Sequence, residues 1–313
     1  MILFEDSLRA RTDRPFYNVS AELPEAFVHM TKYLSKMARL VKVEHSIFAL
    51  PFAYMGFVLA GQGFAGWRAF LGLTVAMVAI RSFAMAVNRL VDVKFDRQNP
   101  RTQMRELVTG EVTACEVWIF LGVCAFVFVA ACAALNTLCL ALSPIVLVWA
   151  GFYSYTKRFT WMCHFFLGSV LGLAPVAGYL AVTPQFTMGP VLMGLGVLFW
   201  VAGFDLLYAC QDADFDRGLG LCSCPARYGV GGALLLSSAS HVNASLFFAL
   251  AGWSAGLGGI YYVAWAVVSA VLYWEHRLLS EDDMSRVNLA FFTLNGIIAM
   301  LLFVGVALDV MWR

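Results

Sequence analysis

The chain has 313 residues, 61% of them hydrophobic and only 13% charged, with a mean hydropathy of +0.76. A soluble domain of this length would be about half apolar and about a quarter charged. The composition therefore excludes an ordinary water-soluble protein and describes an all-α polytopic membrane protein. The net charge of +1 gives no footing for nucleic acid, and the sequence shows no evident protein partner.

Residues 1 to about 31 mix acids and bases, and Pro15 and Pro24 interrupt any long helix. They read as a poorly ordered or surface-lying lead-in, with residues 1–35 set apart from a single transmembrane domain over 36–313. Glu5, Asp6 and Asp13 among Arg9, Arg11 and Arg14 do not make a signal peptide, because no small-residue cleavage site follows.

Apolar runs long enough to cross a hydrocarbon core, about 20 residues each, then succeed one another. They fall at roughly 43–61, 67–88, 112–131, 137–155, 163–182, 189–211, 233–251, 257–274 and 288–310. Nine transmembrane helices are expected. Loops after the even-numbered spans are charged, and those after spans 1, 3, 5 and 7 are nearly uncharged. Of the 21 Lys and Arg residues, 18 fall in the lead-in and the even-numbered loops, two (Arg68 and Arg313) on the other side, and Arg81 inside span 2. Positive residues mark the cytoplasmic side. The chain should thus lie in the cytoplasmic (inner) membrane as a multi-pass protein, its N-terminus inside and its C-terminus outside.

The eight cysteines lie mostly within apolar runs, where they act as small hydrophobes. Only Cys222 and Cys224 fall in a polar loop, and their CxC has no second pair to complete a zinc-type set.

Two acidic strings repeat: Asp92-Val93-Lys94-Phe95-Asp96-Arg97 and Asp212-Ala213-Asp214-Phe215-Asp216-Arg217. They end spans 2 and 6, so four crossings separate them and both face the cytoplasm. Such a displacement marks two parallel repeat-like halves, which would bring both strings to the mouth of one cavity. Asn88, Asp92 and Asp96 are spaced to line one helix face. Asp212 and Asp216 share that spacing, and Asp205 lies two turns earlier on nearly the same side. Facing carboxylates repel unless a cation sits between them. Hard oxygen ligands select Mg²⁺ or Ca²⁺, and Mg²⁺ characteristically takes one or two carboxylates plus substrate phosphate. Two Asp groups at one mouth therefore suggest Mg²⁺ bridging a diphosphate. The plainer reading, in which these acids solvate helix ends or pair with Lys94, Arg97 and Arg217, explains neither the repeat nor Asn88.

Basic residues join the constellation. Arg81 lies about 10 Å deeper than Asn88 on the same face, and an intramembrane Arg is by default functional. Arg101 and Arg105 follow the first string; Tyr153, Lys157 and Arg158 end span 4; Lys42, Glu44 and His45 open span 1. Lys157 and Arg158 read either as ligand contacts or as positive-inside decoration, and His45 as a ligand contact or a satisfied interfacial histidine. Tyr208 reads as a hydroxyl aimed into the cavity or as an interfacial aromatic.

Asn88-x3-Asp92-x3-Asp96, Asp212-x3-Asp216 and Tyr153-x3-Lys157-Arg158 together resemble the UbiA superfamily of intramembrane prenyltransferases, over about residues 36–310. The resemblance implies nine helices around a central cavity that opens laterally to lipid. It implies transfer of a polyprenyl group from a prenyl diphosphate, bound through Mg²⁺, to an aromatic acceptor. Asn88, Asp92, Asp96, Asp212 and Asp216 would be the metal and diphosphate site, and Arg81, Lys157 and Arg158 contacts to diphosphate or acceptor. Gly203-Phe204-Asp205-Leu206-Leu207-Tyr208-Ala209 and Val43-Glu44-His45-Ser46-Ile47-Phe48-Ala49-Leu50-Pro51 resemble the 4-hydroxybenzoate polyprenyltransferase-like group. That group serves quinone biosynthesis and also includes enzymes of the futalosine-type menaquinone route. An Arg-Leu-Asp-Lys-Pro-type opening of helix 1, usual in ubiquinone-pathway members, is absent.

On this reading Mg²⁺ and the basic residues stabilise the departing diphosphate, and an activated ring carbon attacks the allylic cation. Asp205 would orient the activating substituent or take up its proton. A divalent-ion or proton-coupled transporter is the rival from another class, but its site would sit near the midplane rather than at one end of the spans. An intramembrane aspartyl protease lacks a second mid-span Asp, and a CDP-alcohol phosphotransferase lacks its Asp-Gly and Ala-Arg spacing.

Overall fold

A computed structural model describes residues 25–42, 49–280, 284, 287 and 293–313. Every regular element among these residues is helical. Helix α1 (Glu25–Leu40) follows Pro24 and crosses the expected boundary at residue 35. It is anchored by Met37, Leu40 and Val41, which are buried against Leu107, Val112 and Val117. Lys36 donates to the Glu111 carbonyl, and Arg39 pairs with the Glu111 carboxylate.

The remaining helices are α2 (Leu50–Gly61), α3 (Trp67–Asp96), the one-turn α4 (Glu106–Thr109), α5 (Ala114–Leu135), α6 (Thr137–Thr156), α7 (Cys163–Leu180), α8 (Met188–Ala209), the short α9 (Ala213–Gly218), α10 (Cys224–Ser254), α11 (Gly259–Arg277) and α12 (Asn295–Met311). Among the described residues a helix stands in each of the nine expected spans, with only 12 residues (Leu50–Gly61) in the first. Six stretches, namely α3, α5, α6, α7, the α8–α9 run and α10, are at least 18 residues long and apolar enough to cross a membrane. The chain is a multi-pass membrane protein. Of the other three, α2 and α12 are shorter apolar helices, and α11 is not among the six.

Starts and stops follow local chemistry. Thr113 and Glu116 form a reciprocal capping box at the head of α5, and Asn136 caps α6 through the Cys139 amide, 2.9 Å away. Helix α10 begins with Pro225 in its first turn and kinks at Gly229, whose φ of 77° suits glycine alone.

Without water between them, membrane helices associate through close packing of small residues and interhelical hydrogen bonds. Helix α7 shows the first device. A Cβ on Gly172 would lie 2.6 Å from the Gly194 carbonyl oxygen of α8, and one on Gly168 would strike the Leu198 carbonyl. This seam fixes α7 against α8. The second device joins α8, α10, α11 and α12: Trp200 donates to Asn295 (2.7 Å), His241 donates to the Trp200 carbonyl (3.3 Å), and His276 lies 2.9 Å from His241.

Candidate active site

The 30-residue α3 runs without a break from Trp67 through Asp96, so Arg81, Asn88, Asp92 and Asp96 ride one rigid rod. Asp92 and Asp96 are buried. Asn88 donates to Asp92 Oδ2 at 3.2 Å. Asp92 also faces Lys157 Nζ at 2.9 Å and Arg158 Nη2 at 3.1 Å. Arg158 is itself held by the carbonyls of Ser154 and Val91. Asp96 pairs with Arg105 at 2.6 Å.

The second string is built differently from the expected continuous helix. Helix α8 stops at Ala209, a 3₁₀ turn spans Cys210–Asp212, and α9 restarts at Ala213. Asp212 has φ −105° and ψ 8°, outside the helical basin. Asp205 and Asp212 therefore do not share a helix face. The turn presents Asp212 to the loop that follows α3. Arg101 donates from Nε at 3.0 Å and makes a second contact through Nη2, while Asn99 donates at 3.1 Å. Arg101 Nη1 also donates to the Tyr208 hydroxyl at 3.1 Å, and the guanidinium carbon lies 5.2 Å from that ring's centre. Burial by itself lowers the Arg101 pKa, but the hydrogen bonds and charge of Asp212 outweigh it and raise the pKa, so this group stays cationic.

The motif acids thus pair across elements, with Lys157, Arg158, Arg105 and Arg101. Arg217 pairs instead with the exposed Asp214, within its own helix. Asp216 is half-buried at the same end of the bundle. Its carbonyl accepts from the Leu221 amide at 2.9 Å, and the Cys222 amide bonds the Lys157 carbonyl at 2.7 Å. That loop ties the second string to the end of α6.

Beneath this charged mouth lies an apolar cavity of about 430 Å³, walled by α3, α5, α6 and α7. Arg81 and Tyr153 line it, and Tyr153 sits one turn before Lys157 on α6. Leu135, Leu180 and Phe186 line its far part.

Lys42 lies exposed in the turn that ends α1, with φ 47°. His45, with Glu44, lies outside the described residues.

Sequence reasoning missed two groups. Asn99 bridges the strings, accepting from the Arg101 amide at 2.9 Å while donating to Asp212. Its only sequence signal was an Asn-Pro step just past the first string. His164, buried at the start of α7, lies with Nδ1 2.7 Å from Asp205 Oδ2, and its Nε2 accepts from the Cys224 amide at 3.3 Å. A lone histidine at the edge of an apolar run carries no periodic signal.

Among the described residues no group of three or more His, Cys, Asp and Glu side chains is gathered tightly enough to hold a metal by itself. The donor set still fits Mg²⁺, which uses one or two carboxylates and completes its shell with water and phosphate. Hard oxygens are present in two facing groups.

Fold and site together define a multi-pass helical membrane protein with paired carboxylates and bases over an apolar chamber. Residues 49–297 match the UbiA prenyltransferase family, and the chain belongs to it. It is 26% identical over 253 residues to a 4-hydroxybenzoate octaprenyltransferase of Sodalis glossinidius (strain morsitans), covering 81% of this chain and 87% of that one. The apo structure of a UbiA homolog from Aeropyrum pernix K1 matches with a TM-score of 0.77 and 36% identity, over 85% of this chain and 98% of that one. A UbiA homolog from Archaeoglobus fulgidus bound to DMAPP and Mg²⁺ shares the fold, with a TM-score of 0.68 and 19% identity over 89% and 100% of the two chains. Membership makes the chain a transferase and sets the transporter reading aside.

Proposed function

We propose that this protein transfers a polyprenyl group from a prenyl diphosphate to an aromatic acceptor such as 4-hydroxybenzoate, with Mg²⁺, in quinone biosynthesis. One observation carries the reading: two acidic strings, cross-linked by bases, stand at the mouth of an apolar chamber that runs the depth of α3, α6 and α7. The curated relative named above is an octaprenyltransferase for 4-hydroxybenzoate, and the Archaeoglobus homolog binds an allylic diphosphate with Mg²⁺.

Each side chain then has a task. Asp92, Asp96, Asp212 and Asp216, with Asn88, would hold Mg²⁺. What the ion supplies when bound is positive charge against the growing negative charge of the leaving diphosphate. Lys157, Arg158, Arg101 and Arg105 now neutralise the acids; with a diphosphate at the mouth they turn part of that charge onto its oxygens, where charge builds as the allylic C–O bond breaks. The chamber houses the isoprenoid and keeps water from the allylic centre. Arg81 and Tyr153, at the chamber wall, contact diphosphate or acceptor, and Asp205 orients the acceptor's electron-donating substituent. Tyr208 steadies Arg101.

The Lys and Arg distribution supports a cytoplasmic mouth and N-terminus in the inner membrane. The repeat of the acidic strings supports reading residues 36–313 as one domain of two parallel halves. One observation favours another acceptor: the run from Val43 to Pro51 lacks the Arg-Leu-Asp-Lys-Pro-type opening, as fits the futalosine-type menaquinone route.

The test is direct. Purified protein with geranyl diphosphate, Mg²⁺ and a panel of aromatic acids including 4-hydroxybenzoate should release diphosphate and yield a prenylated ring by mass spectrometry. Intact diphosphate with every acceptor would sink the proposal.

A further inference from the structure

His164, buried against Asp205 at the charged mouth, is a group that no task above has used. His164 accepts the Cys224 amide on Nε2, so its ring proton sits on Nδ1 and is donated to Asp205 Oδ2. His164 is 3% exposed, whereas Asp205 keeps 25% of its side chain exposed. Among the described residues no hydrogen bond reaches Asp205 Oδ1, so one carboxylate oxygen is held and the other is open.

Three features fix the histidine. It is the second residue of α7, whose Gly168 and Gly172 lock onto α8. Its ring is tied to the head of α10 through Cys224. The same loop, two residues earlier, is tied to Lys157 by the Cys222 amide. The pair is therefore part of the frame that carries the diphosphate site, yet it has no counterpart in the repeat. Positions 120 residues away from Asp205 and His164, the offset of the acidic strings, hold Met85 and Met284. The two halves share the acids that face the diphosphate; only one half carries this pair. A feature present once suits the substrate that lacks internal symmetry, the acceptor.

We propose that His164 is a positioning residue that fixes the Asp205 carboxylate through Oδ2, with Oδ1 turned to accept a hydrogen bond from the acceptor's hydroxyl. The proposal rests on the aromatic-prenylation reading. Its substance is that acceptor recognition is set by a residue outside both acidic strings, through a bond made before either substrate arrives.

The test uses full-length protein in nanodiscs with geranyl diphosphate, 4-hydroxybenzoate and Mg²⁺. His164→Ala should raise the acceptor KM by roughly 10-fold or more, as loss of a hydrogen bond to a charged group implies, with the KM for geranyl diphosphate unchanged. His164→Asn, whose Nδ2 can replace the Nδ1 donor, should restore most of the loss. On an Asp205→Asn background, His164→Ala should add nothing further. The proposal falls if both KM values move together, if only kcat changes, or if Asn fails to rescue. Should His164→Ala not fold, the comparison of wild type, His164→Asn and Asp205→Asn still decides, because a positioning role requires the Asn variant to keep a near-normal acceptor KM that Asp205→Asn has lost. Wild-type protein that prenylates no aromatic acid would overturn the underlying reading, and that failure is visible before any variant is made.

Discussion

Arg101, in the loop after α3, grips Asp212, 111 residues further along the chain, through two of its guanidinium nitrogens. This contact joins the two acidic strings directly. It also explains why the helix breaks at Cys210–Asp212: an unbroken α8 would carry Asp212 around its axis, whereas the 3₁₀ turn offers it to the loop. The pair ties the two halves of the site together.

Removing this grip should affect activity far more than stability. Arg101 is 35% exposed, and ion pairs at such positions contribute about 1 kcal/mol or less. Arg101→Ala should lower turnover by about 100-fold, as loss of a group that stabilises transition-state charge does, while the thermal midpoint in detergent barely moves. Parallel kinetics and thermal unfolding check this, and a large fall in stability would contradict it.

Lys157 and Arg158 both face Asp92, yet they should fail differently. Lys157 reaches it as a point charge, so Lys157→Met should raise the KM for the prenyl diphosphate and leave the fold intact. Arg158 also donates to the carbonyls of Ser154 and Val91. Arg158→Met leaves those acceptors unmet and should cost a further ~1–3 kcal/mol of stability. The comparison is made on the two variants by diphosphate titration and denaturation.

Chelation of Mg²⁺ should abolish prenyl transfer, and restoring the ion should recover it. Asp92→Asn and Asp216→Asn each remove one hard anionic ligand and should shift the Mg²⁺ requirement upward. If either variant matched wild-type turnover at saturating Mg²⁺, the carboxylates would not be holding the ion.

The α7–α8 seam should be intolerant of volume. Gly168→Val drives a side chain into the Leu198 backbone, and overpacking of this kind costs ~1–3 kcal/mol or more. Gly122, in the interior of α5, meets nothing within 4 Å, so Gly122→Ala should be neutral or stabilising by up to ~1 kcal/mol. Yields and melting of the two proteins in detergent test the contrast.

Much of this was legible from the chain. The spans announced themselves because a bilayer demands about 20 apolar residues per crossing. The Asn88, Asp92 and Asp96 face was legible because a continuous helix has one period, and α3 keeps it from Trp67 to Asp96. The same reasoning failed at Asp212, where the matching string sits beyond a helix break that local spacing does not report. Which base meets which acid was also hidden: Lys157 and Arg158 were visible as bases at a mouth, but their common partner lies 65 and 66 residues away by chain.

The amino-acid sequence by itself determined that the protein is a helical membrane protein, that its charge gathers at one end of its spans, and that a string of carboxylates occurs there twice. Those properties depend on composition and short-range periodicity, which the chain carries residue by residue. Only the tertiary structure decided that Arg101 belongs to Asp212, that Arg81 and Tyr153 wall an apolar chamber, and that His164 holds Asp205. Those relationships arise where backbones approach across glycines and where a turn redirects a single carboxylate. They depend on contacts between distant segments, and no local pattern specifies which segments will meet.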